Sequence, residues 1–190
     1  MAIVLASKSP RRKQLLTMLG INDLRVMPAL SKELLPPNMP PQDAVMSLSL
    51  EKAREVSALC SEKDVIIAAD TIVELDGDIL GKPENEDAAF SMLSRLSGRS
   101  HRVFTGICVI SGDKIISEYE RSYVRFRELS EREIKAYIAT GEPMDKAGSY
   151  GAQGKGSLFV EAIDGDFFNV MGLPLCRLSK ILEKLGVVLL

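Results

Sequence analysis

Asp70 carries the clearest chemical signal in the sequence, because this carboxylate directly follows the apolar run 65–69. A continuous apolar run predicts a strand buried on both faces, so the carboxylate is expected at the end or in the middle of that strand. Burying an unpaired carboxylate is costly, which leaves a bound metal, a basic partner or a raised pKa as explanations. Each is compatible with a catalytic site. The alternative is a strand-end aspartate that caps nearby backbone.

The segment Ser7-Lys8-Ser9-Pro10-Arg11-Arg12 is the second signal. Serine followed by proline is typical of a helix N-terminus, whose free N–H groups and positive dipole favour an anion. Arginines in a first turn oppose the helix dipole, and a bound phosphate would relieve that cost. The pattern predicts phosphate binding at Ser7, Ser9 and Arg12. The alternative is an ordinary Ser-Pro cap with solvated arginines.

The stretch 145–156 is rich in glycine and contains Gln153. Glycine allows a ligand to come close to main-chain N–H groups, and a glutamine amide can both donate and accept a hydrogen bond. The Gly-x-x-x-x-Gly-Lys-Ser/Thr pattern of a P-loop is absent from the sequence. A flexible surface loop is the alternative for such a composition.

Three charged residues carry little information one at a time. Lys82 lies between a glycine and a proline after a predicted hairpin, Lys52 lies in a predicted helix, and Glu33 precedes a proline-rich loop. Either lysine alone is more often solvated than bound to a ligand. They become candidates only in combination with the carboxylate and the anion site above.

The composition argues against several other chemistries. His101 is the one histidine, so a zinc site with several histidine ligands and Ser–His–Asp or Cys–His catalysis find no support. The three cysteines are far apart and form no Cys-x-x-Cys pair. Carboxylates, basic side chains and a glycine-rich loop instead suit attack of water on a phosphate, assisted by a hard divalent cation.

The 190 residues, 46% hydrophobic and 26% charged, fit one globular domain. The formal charge of 24 − 26 = −2 provides no general attraction to nucleic acid or an anionic membrane. The first apolar run is too short for a signal peptide, and no stretch approaches the roughly 18–20 apolar residues of a membrane helix. We therefore expect neither a nucleic-acid partner nor a membrane partner.

Strands and helices alternate in the pattern that must position these side chains. Asp-Gly turns at 76–77 and 164–165 require antiparallel pairs, so an α/β domain with a mixed sheet is predicted. Strands are predicted at 3–6, 24–27, 65–75, 101–110 and 114–126, a hairpin at 158–163 with 167–171, and helices at 10–19, 42–59, 86–96, 131–140 and 174–185.

These segments together resemble the Maf family of nucleotide pyrophosphatases, once named for an effect on septum formation. Seven pieces match in the family's order and cover nearly the whole chain: Ala6-Ser7-Lys8-Ser9-Pro10-Arg11-Arg12, Glu51-Lys52-Ala53, Ala69-Asp70-Thr71, Gly81-Lys82-Pro83, the stretch from Leu96-Ser97-Gly98 to Thr105, Asp145-Lys146-Ala147-Gly148-Ser149-Tyr150-Gly151, and Gly172-Leu173-Pro174-Leu175.

The resemblance implies one α/β domain over residues 1–190, with a mixed, twisted central sheet flanked by helices around a cleft, as in inosine triphosphatases. It further implies a divalent cation (Mg²⁺, Mn²⁺ or Co²⁺), a nucleoside triphosphate substrate, a cytoplasmic location and a homodimer. By position, Asp70 matches the family's proton acceptor. Arg12, Thr71 and Gln153 match positions that set base preference. Glu33, Lys52 and Lys82 fall where the family gathers metal and phosphate ligands, and Asp70 is expected to contact the metal as well.

The string 145–153 resembles the branch of the family that acts on dTTP and UTP, and the branch that acts on 7-methyl-GTP differs there. The expected reaction releases a nucleoside monophosphate and pyrophosphate, in a house-cleaning or division-linked role. Two alternatives stay open. One is a nucleotide-binding regulator of septum formation with little turnover, and the other is a pyrophosphatase of the same fold that prefers purine nucleotides or 7-methyl-GTP.

Overall fold

Helices and strands alternate in the computed structural model, which describes residues 1–21, 23–30 and 39–189. Within these ranges, no helix is both long enough and apolar enough to cross a membrane. The elements are β1 (Ile3–Leu5), α1 (Pro10–Met18), β2 (Leu24–Val26), α2 (Pro41–Ser57), β3 (Val65–Leu75), β4 (Asp78–Leu80), α3 (Glu86–Leu96), β5 (Ser100–Ser111), β6 (Lys114–Phe126), α4 (Glu131–Ile138), β7 (Val160–Asp164), α5 (Phe167–Met171) and α6 (Leu175–Lys184).

Within the described residues, seven strands form one mixed sheet in the order β2-β1-β3-β5-β6-β7, with β4 paired to β3. β1 runs parallel to both β2 and β3, whereas β4 is antiparallel to β3 and β7 is antiparallel to β6. Only two residues connect β5 to β6. Such a short connection can join antiparallel strands but not parallel ones. The α/β class with a mixed sheet is therefore confirmed.

The chain forms two compact units. Unit 1 contains Met1–Asp70, Thr105–Glu120 and Gly172–Leu190, and unit 2 contains Thr71–Phe104 and Arg121–Met171. Each of the long strands β3, β5 and β6 contributes residues to both units. A single domain over residues 1–190 stays a prediction.

The core of unit 1 forms where α2 packs on the sheet. Ile66 and Ala68 of β3 and Ala53 and Val56 of α2 belong to one buried apolar cluster. Successive strand residues point to opposite faces, so residues 66, 68 and 70 share the face that α2 covers. The next side chain in this series is the carboxylate of Asp70, which is therefore directed towards a helix.

The core of unit 2 lies around α3, α4 and parts of four strands, β3 to β6. It buries Leu93 and Leu96 of α3, Ile134 of α4 and Phe126 of β6. The predicted capping box opens α4: the Ser130 hydroxyl accepts from the Glu133 amide, and the Glu133 carboxylate accepts from the Ser130 amide. The start of this helix is thus defined by local sequence, whereas its apolar face is held by packing.

The predicted hairpin around Asp164-Gly165 is wrong. β7 pairs with β6, and residues 167–171 form the short helix α5. The Asp166 carboxylate accepts from the amide of Phe168 at 2.7 Å, which favours a helical turn at this point. The turn places Asn169, fully buried, where its amide donates to the Val103 carbonyl and the Ser122 hydroxyl. These tertiary hydrogen bonds are invisible to a pattern of turn residues.

Candidate functional site

Asp70 lies in the middle of β3 with only 7% of its surface exposed, as the apolar run before it predicts. Its Oδ1 accepts a hydrogen bond from Nζ of Lys52 at 2.5 Å. Of the three explanations for a buried carboxylate, the structure shows the basic partner. Lys52 is therefore not the solvated lysine that its sequence context allows.

This ion pair is a consequence of how α2 packs. Lys52 precedes Ala53, which belongs to the apolar cluster on the β3 face that Asp70 shares. The two charged side chains are 13% and 10% exposed, so each compensates for the other's loss of water. Breaking such a buried pair by removing one partner typically costs roughly 3–5 kcal/mol, because a charge is left uncompensated.

The helix N-terminus predicted at Ser9 is present. Ser9 accepts from the backbone amide of Arg12 at 3.4 Å, and Pro10 begins α1. The Arg12 side chain donates from Nε to the Gly172 carbonyl at 2.8 Å and from Nη1 to the Ser7 hydroxyl at 3.2 Å. Two contacts therefore orient the guanidinium, which argues against a merely solvated arginine.

The Ser7 hydroxyl is buried and accepts two hydrogen bonds, from Nη1 of Arg12 and from the amide of Ser9 at 3.2 Å. A hydroxyl has two acceptor positions and one donor. With both acceptor positions engaged, the O–H proton is the group that Ser7 can offer to a ligand. A donor of this kind suits an anionic oxygen.

In unit 1, the β1–α1 loop follows β1, and Asp70 lies in the adjacent strand β3. Leu5 pairs with Ile67 in the parallel β1–β3 ladder, and the Ala6 amide donates to the Ile67 carbonyl at 2.8 Å. Asp70 follows Ile67 by three residues, and Ser7 follows Leu5 by two. The parallel pairing thus brings the predicted anion loop beside the strand segment that leads to the carboxylate.

The candidates in unit 2 are less enclosed. Thr71 is half-buried and points to the opposite face of β3 from Asp70. Lys82 and Gln153 are exposed. The Gly148 amide donates to the Gly81 carbonyl at 3.0 Å, so the loop that carries Lys82 contacts the glycine-rich stretch.

The glycine-rich stretch is packed for much of its length. It contains 3₁₀ turns at Glu142–Asp145, Ala147–Ser149 and Lys155–Phe159. Of the residues 146–151, all except Ala147 are buried. This burial favours an ordered loop over the flexible surface loop that composition alone allows.

Glu33, the other predicted metal ligand, lies outside the described residues. Over residues 1–21, 23–30 and 39–189, no group of three or more His, Cys, Asp or Glu side chains could hold a metal ion. Mg²⁺ on a triphosphate usually takes only one or two carboxylates and completes its shell with phosphate oxygens and water. The Asp70 carboxylate fits that role as one oxygen ligand.

Gly172 and Glu142 make contacts that no sequence pattern predicted. Gly172 has φ +104°, a conformation that favours glycine, and its carbonyl holds Arg12 across 160 residues of sequence. The motif Gly172-Leu173-Pro174-Leu175 is the sequence signal that could have indicated Gly172. No pattern in the local sequence points to Glu142.

His101 is a core residue of unit 2. Its Nε2 lies 2.7 Å from the Tyr150 hydroxyl, and its ring packs edge-on against Phe126 and Tyr150. Burial lowers the pKa of His101 to about 4, although Glu74 acts in the opposite direction. The neutral imidazole is therefore the form that the fold accommodates.

We expect this histidine to make folding sensitive to acid. Because its pKa falls from 6.5 to about 4 on folding, the unfolded chain binds the proton more readily between these values. The stability is present above pH 6.5 and is lost as the pH falls towards 4, by up to roughly 3 kcal/mol. Denaturant unfolding of wild type and His101→Gln between pH 4 and pH 7 checks this. Equal pH slopes in the two proteins would contradict it.

The fold and these side chains define an α/β protein with a buried Asp–Lys pair beside a helix N-terminus. Residues 2–185 match the family model described as Maf-like protein, and the chain belongs to that family. The dTTP/UTP pyrophosphatase of Caldicellulosiruptor saccharolyticus is 49% identical over 189 residues, covering 97% of this chain and 94% of that protein. The dTTP/UTP pyrophosphatase of Bacillus cereus is 48% identical over 185 residues, covering 97% and 96%. Among solved structures, the Staphylococcus aureus Ham1 protein superposes with a TM-score of 0.47 at 15% identity, covering 66% of this chain and 72% of that one.

Proposed function

We propose that this protein hydrolyses dTTP and UTP to the nucleoside monophosphate and pyrophosphate. The buried Asp70–Lys52 pair, with Asp70 on the strand next to the one that leads into the Ser7–Arg12 loop, is the observation that carries the proposal. This arrangement supports Asp70 as the group that accepts a proton and Lys52 and Arg12 as groups that hold phosphate. The choice of substrate is supported by the names of the relatives, which are almost half identical to this protein over nearly the whole chain.

In the proposed reaction, Asp70 orients a water molecule and accepts its proton. The water oxygen forms a bond to the α-phosphorus while the bond from that phosphorus to the bridging oxygen breaks. The electron pair of that bond leaves with pyrophosphate. The role of Lys52 is to keep the Asp70 side chain in one orientation, so that the carboxylate is pre-positioned for the water.

Cationic side chains reduce the charge repulsion that the reaction meets. An ammonium group has three N–H donors, so Lys52 can donate to a phosphate oxygen while it donates to Asp70. Arg12 presents a guanidinium whose orientation is set by Ser7 and Gly172. Lys52 and Arg12 would stabilise negative charge on the triphosphate and on the leaving pyrophosphate, a role that the family resemblance implies for Lys82 as well.

Asp70 and, as the family resemblance implies, Glu33 would hold the divalent cation. When bound, Mg²⁺, Mn²⁺ or Co²⁺ would withdraw charge from the phosphate oxygens. Of these two carboxylates, that of Asp70 lies close to Lys52, so only part of its charge is available to a second cation. This argues for a cation bound mainly through the substrate.

Base selection is proposed for Gln153, with Arg12 and Thr71 in supporting roles. The exposed amide of Gln153 can donate and accept a hydrogen bond, which matches the edge of a uracil or thymine ring, where an N–H lies between two carbonyls. The glycines around Gln153 allow a base to approach the backbone.

Product analysis tests the proposed function. Purified protein incubated with dTTP is expected to release dTMP and pyrophosphate, detectable by phosphorus NMR or chromatography, with Mg²⁺, Mn²⁺ or Co²⁺ present and not with excess EDTA. A parallel set with UTP, CTP, GTP and 7-methyl-GTP ranks the bases. Appearance of dTDP and orthophosphate would contradict the reaction, and nucleotide binding without turnover would favour a regulator.

A cytoplasmic location and a homodimer are also proposed, and both rest on the family resemblance of the seven motifs. Light scattering on the purified protein measures the second directly. Twice the chain mass of 20.8 kDa is expected, and a single-chain mass would contradict the homodimer.

A further inference from the structure

The Glu142 carboxylate binds the backbone on one side of Gln153. Its Oε2 accepts from the amide of Lys155 at 3.1 Å, and its Oε1 accepts from the amide of Gly156 at 3.2 Å. Glu142 is half-buried and lies in the turn that follows α4. A single side chain thus satisfies two consecutive amides of the loop.

The other side of Gln153 is held by Tyr137, a buried residue of α4. Its hydroxyl accepts from the amide of Gly151 at 3.3 Å and donates to Oε1 of Glu142 at 2.9 Å. The loop is therefore attached before and after Gln153 to one connected pair of side chains. Gln153 itself remains exposed between these attachment points.

The glycines of the loop are required for this attachment. Gly154 has φ +88° and ψ −154°, a region essentially restricted to glycine, and a Cβ there would lie 2.9 Å from a carboxylate oxygen of Glu142. A Cβ on Gly156 would lie 2.5 Å from the Gly151 carbonyl oxygen and 2.7 Å from the Tyr137 hydroxyl. The absence of a side chain lets Gly154 approach the Glu142 carboxylate, and it lets Gly156 approach the Tyr137 hydroxyl and the Gly151 carbonyl.

The charge of Glu142 is stabilised where it stands. Burial raises the pKa of Glu142, whereas the amides of Gly156 and Lys155, the Tyr137 hydroxyl and the nearby Lys146 lower it. The lowering effects together exceed the effect of burial, so the pKa lies below its ordinary value. Lys146 also donates to the Glu142 carbonyl at 2.5 Å. Because its pKa is lowered, the Glu142 carboxylate is ionised at neutral pH and offers two acceptor oxygens to the loop.

We propose that Glu142 is a positioning residue for base selection, which acts by holding the loop 151–156 so that Gln153 meets the pyrimidine edge in one orientation. This inference rests on the proposed role of Gln153 as the residue that reads the base. A loop attached on both sides presents its amide already ordered, so less conformational freedom is lost when the base binds. Without the attachment, the same amide would discriminate less between bases.

Glu142→Gln is the variant that isolates this contribution. It keeps the size of the side chain but replaces one acceptor oxygen with an NH₂ group, which cannot accept from an amide. One loop amide therefore loses its partner. The ratio of kcat/KM for dTTP to that for CTP is expected to fall about three- to tenfold, the effect of one such hydrogen bond. The kcat for CTP should stay within about twofold, because Asp70 and Lys52 are untouched.

Three further variants complete the experiment. Glu161→Gln is the matched control, since Glu161 is an exposed residue of β7 that pairs with Arg125 on the surface, and it should leave the ratio unchanged. Tyr137→Phe removes only the hydroxyl that joins Gly151 to Glu142 and should lower the ratio as well. In a Gln153→Ala background, Glu142→Gln should have no further effect on the ratio.

The outcomes separate the inference from the proposed function. If Gln153→Ala lowers the dTTP/CTP ratio and Glu142→Gln does not, or if the two effects simply add, the positioning role of Glu142 is refuted while the base-reading role stands. If Gln153→Ala leaves the ratio unchanged, both roles are refuted. Hydrogen exchange provides a readout independent of turnover: amides 155–156 should exchange faster in Glu142→Gln than in Glu161→Gln, and equal rates would overturn the attachment itself.

Discussion

Asp70→Asn is expected to lower kcat by a factor on the order of 10²–10⁴, the usual consequence of losing a general base. The side-chain shape is conserved, so substrate binding should change less than turnover. The measurement is steady-state kinetics on dTTP with a divalent cation. Asp64→Asn is a matched control, because Asp64 is also buried in unit 1 but binds the Ala2 and Ser61 amides and Arg25. Wild-type kcat in a folded Asp70→Asn protein would refute the catalytic role.

The same variant should also be less stable. From the sequence alone, an Asp70 among apolar neighbours could gain stability on losing its charge. The structure instead places Lys52 at 2.5 Å, so the neutral amide removes the negative charge that Asp70 provides to a nearly buried ammonium. A loss of about 1–3 kcal/mol in the free energy of unfolding is expected, because the amide oxygen can still accept one hydrogen bond. Chemical denaturation measures it, and an increase in stability would contradict this account of the pair.

Gln153→Ala is expected to lower kcat/KM for dTTP and UTP about ten- to a hundredfold, because a polar contact left unpaired costs roughly 1–3 kcal/mol. The loss should be smaller for a triphosphate that is already a poor substrate, so the selectivity ratio should fall. Gln14→Ala, at an exposed position of α1, is the control. One common factor for dTTP, UTP, CTP and GTP would show that Gln153 does not read the base.

Arg12→Ala tells whether this guanidinium contributes to base selection or to phosphate binding. Its contacts to Ser7 and Gly172 fix its orientation without deciding between the two roles. A phosphate ligand would slow all four substrates by a similar factor, whereas a base reader would change their ratios. Arg12 lies in the first turn of α1, and a helix N-terminus favours anions, so we expect a similar factor for all four substrates.

Much of the fold could be predicted because its signals are local. The apolar run 65–69, the Asp76-Gly77 turn and the capping box at Ser130 each depend on residues a few positions apart, and each is present in the structure. The turn at Asp164-Gly165 carried the same signal and misled. Whether a second strand follows a turn depends on the hydrogen-bond partners that the rest of the chain offers. Here β7 pairs with β6, and residues 167–171 form a helical turn in which Asn169 donates to the Val103 carbonyl.

The candidate site divides along the same line. Local sequence determined that Asp70 would be buried and that Ser9 would cap a helix, since a buried strand and a helix start follow from adjacent residues. Only the tertiary structure decided which groups those residues meet: Lys52 is 18 positions from Asp70, Gly172 is 160 positions from Arg12, and Glu142 is 13 and 14 positions from the amides it binds. Such partners depend on strand register, on the face that a helix presents and on close approach at glycines. All of these are set by the packing of the whole chain and not by the residues on either side.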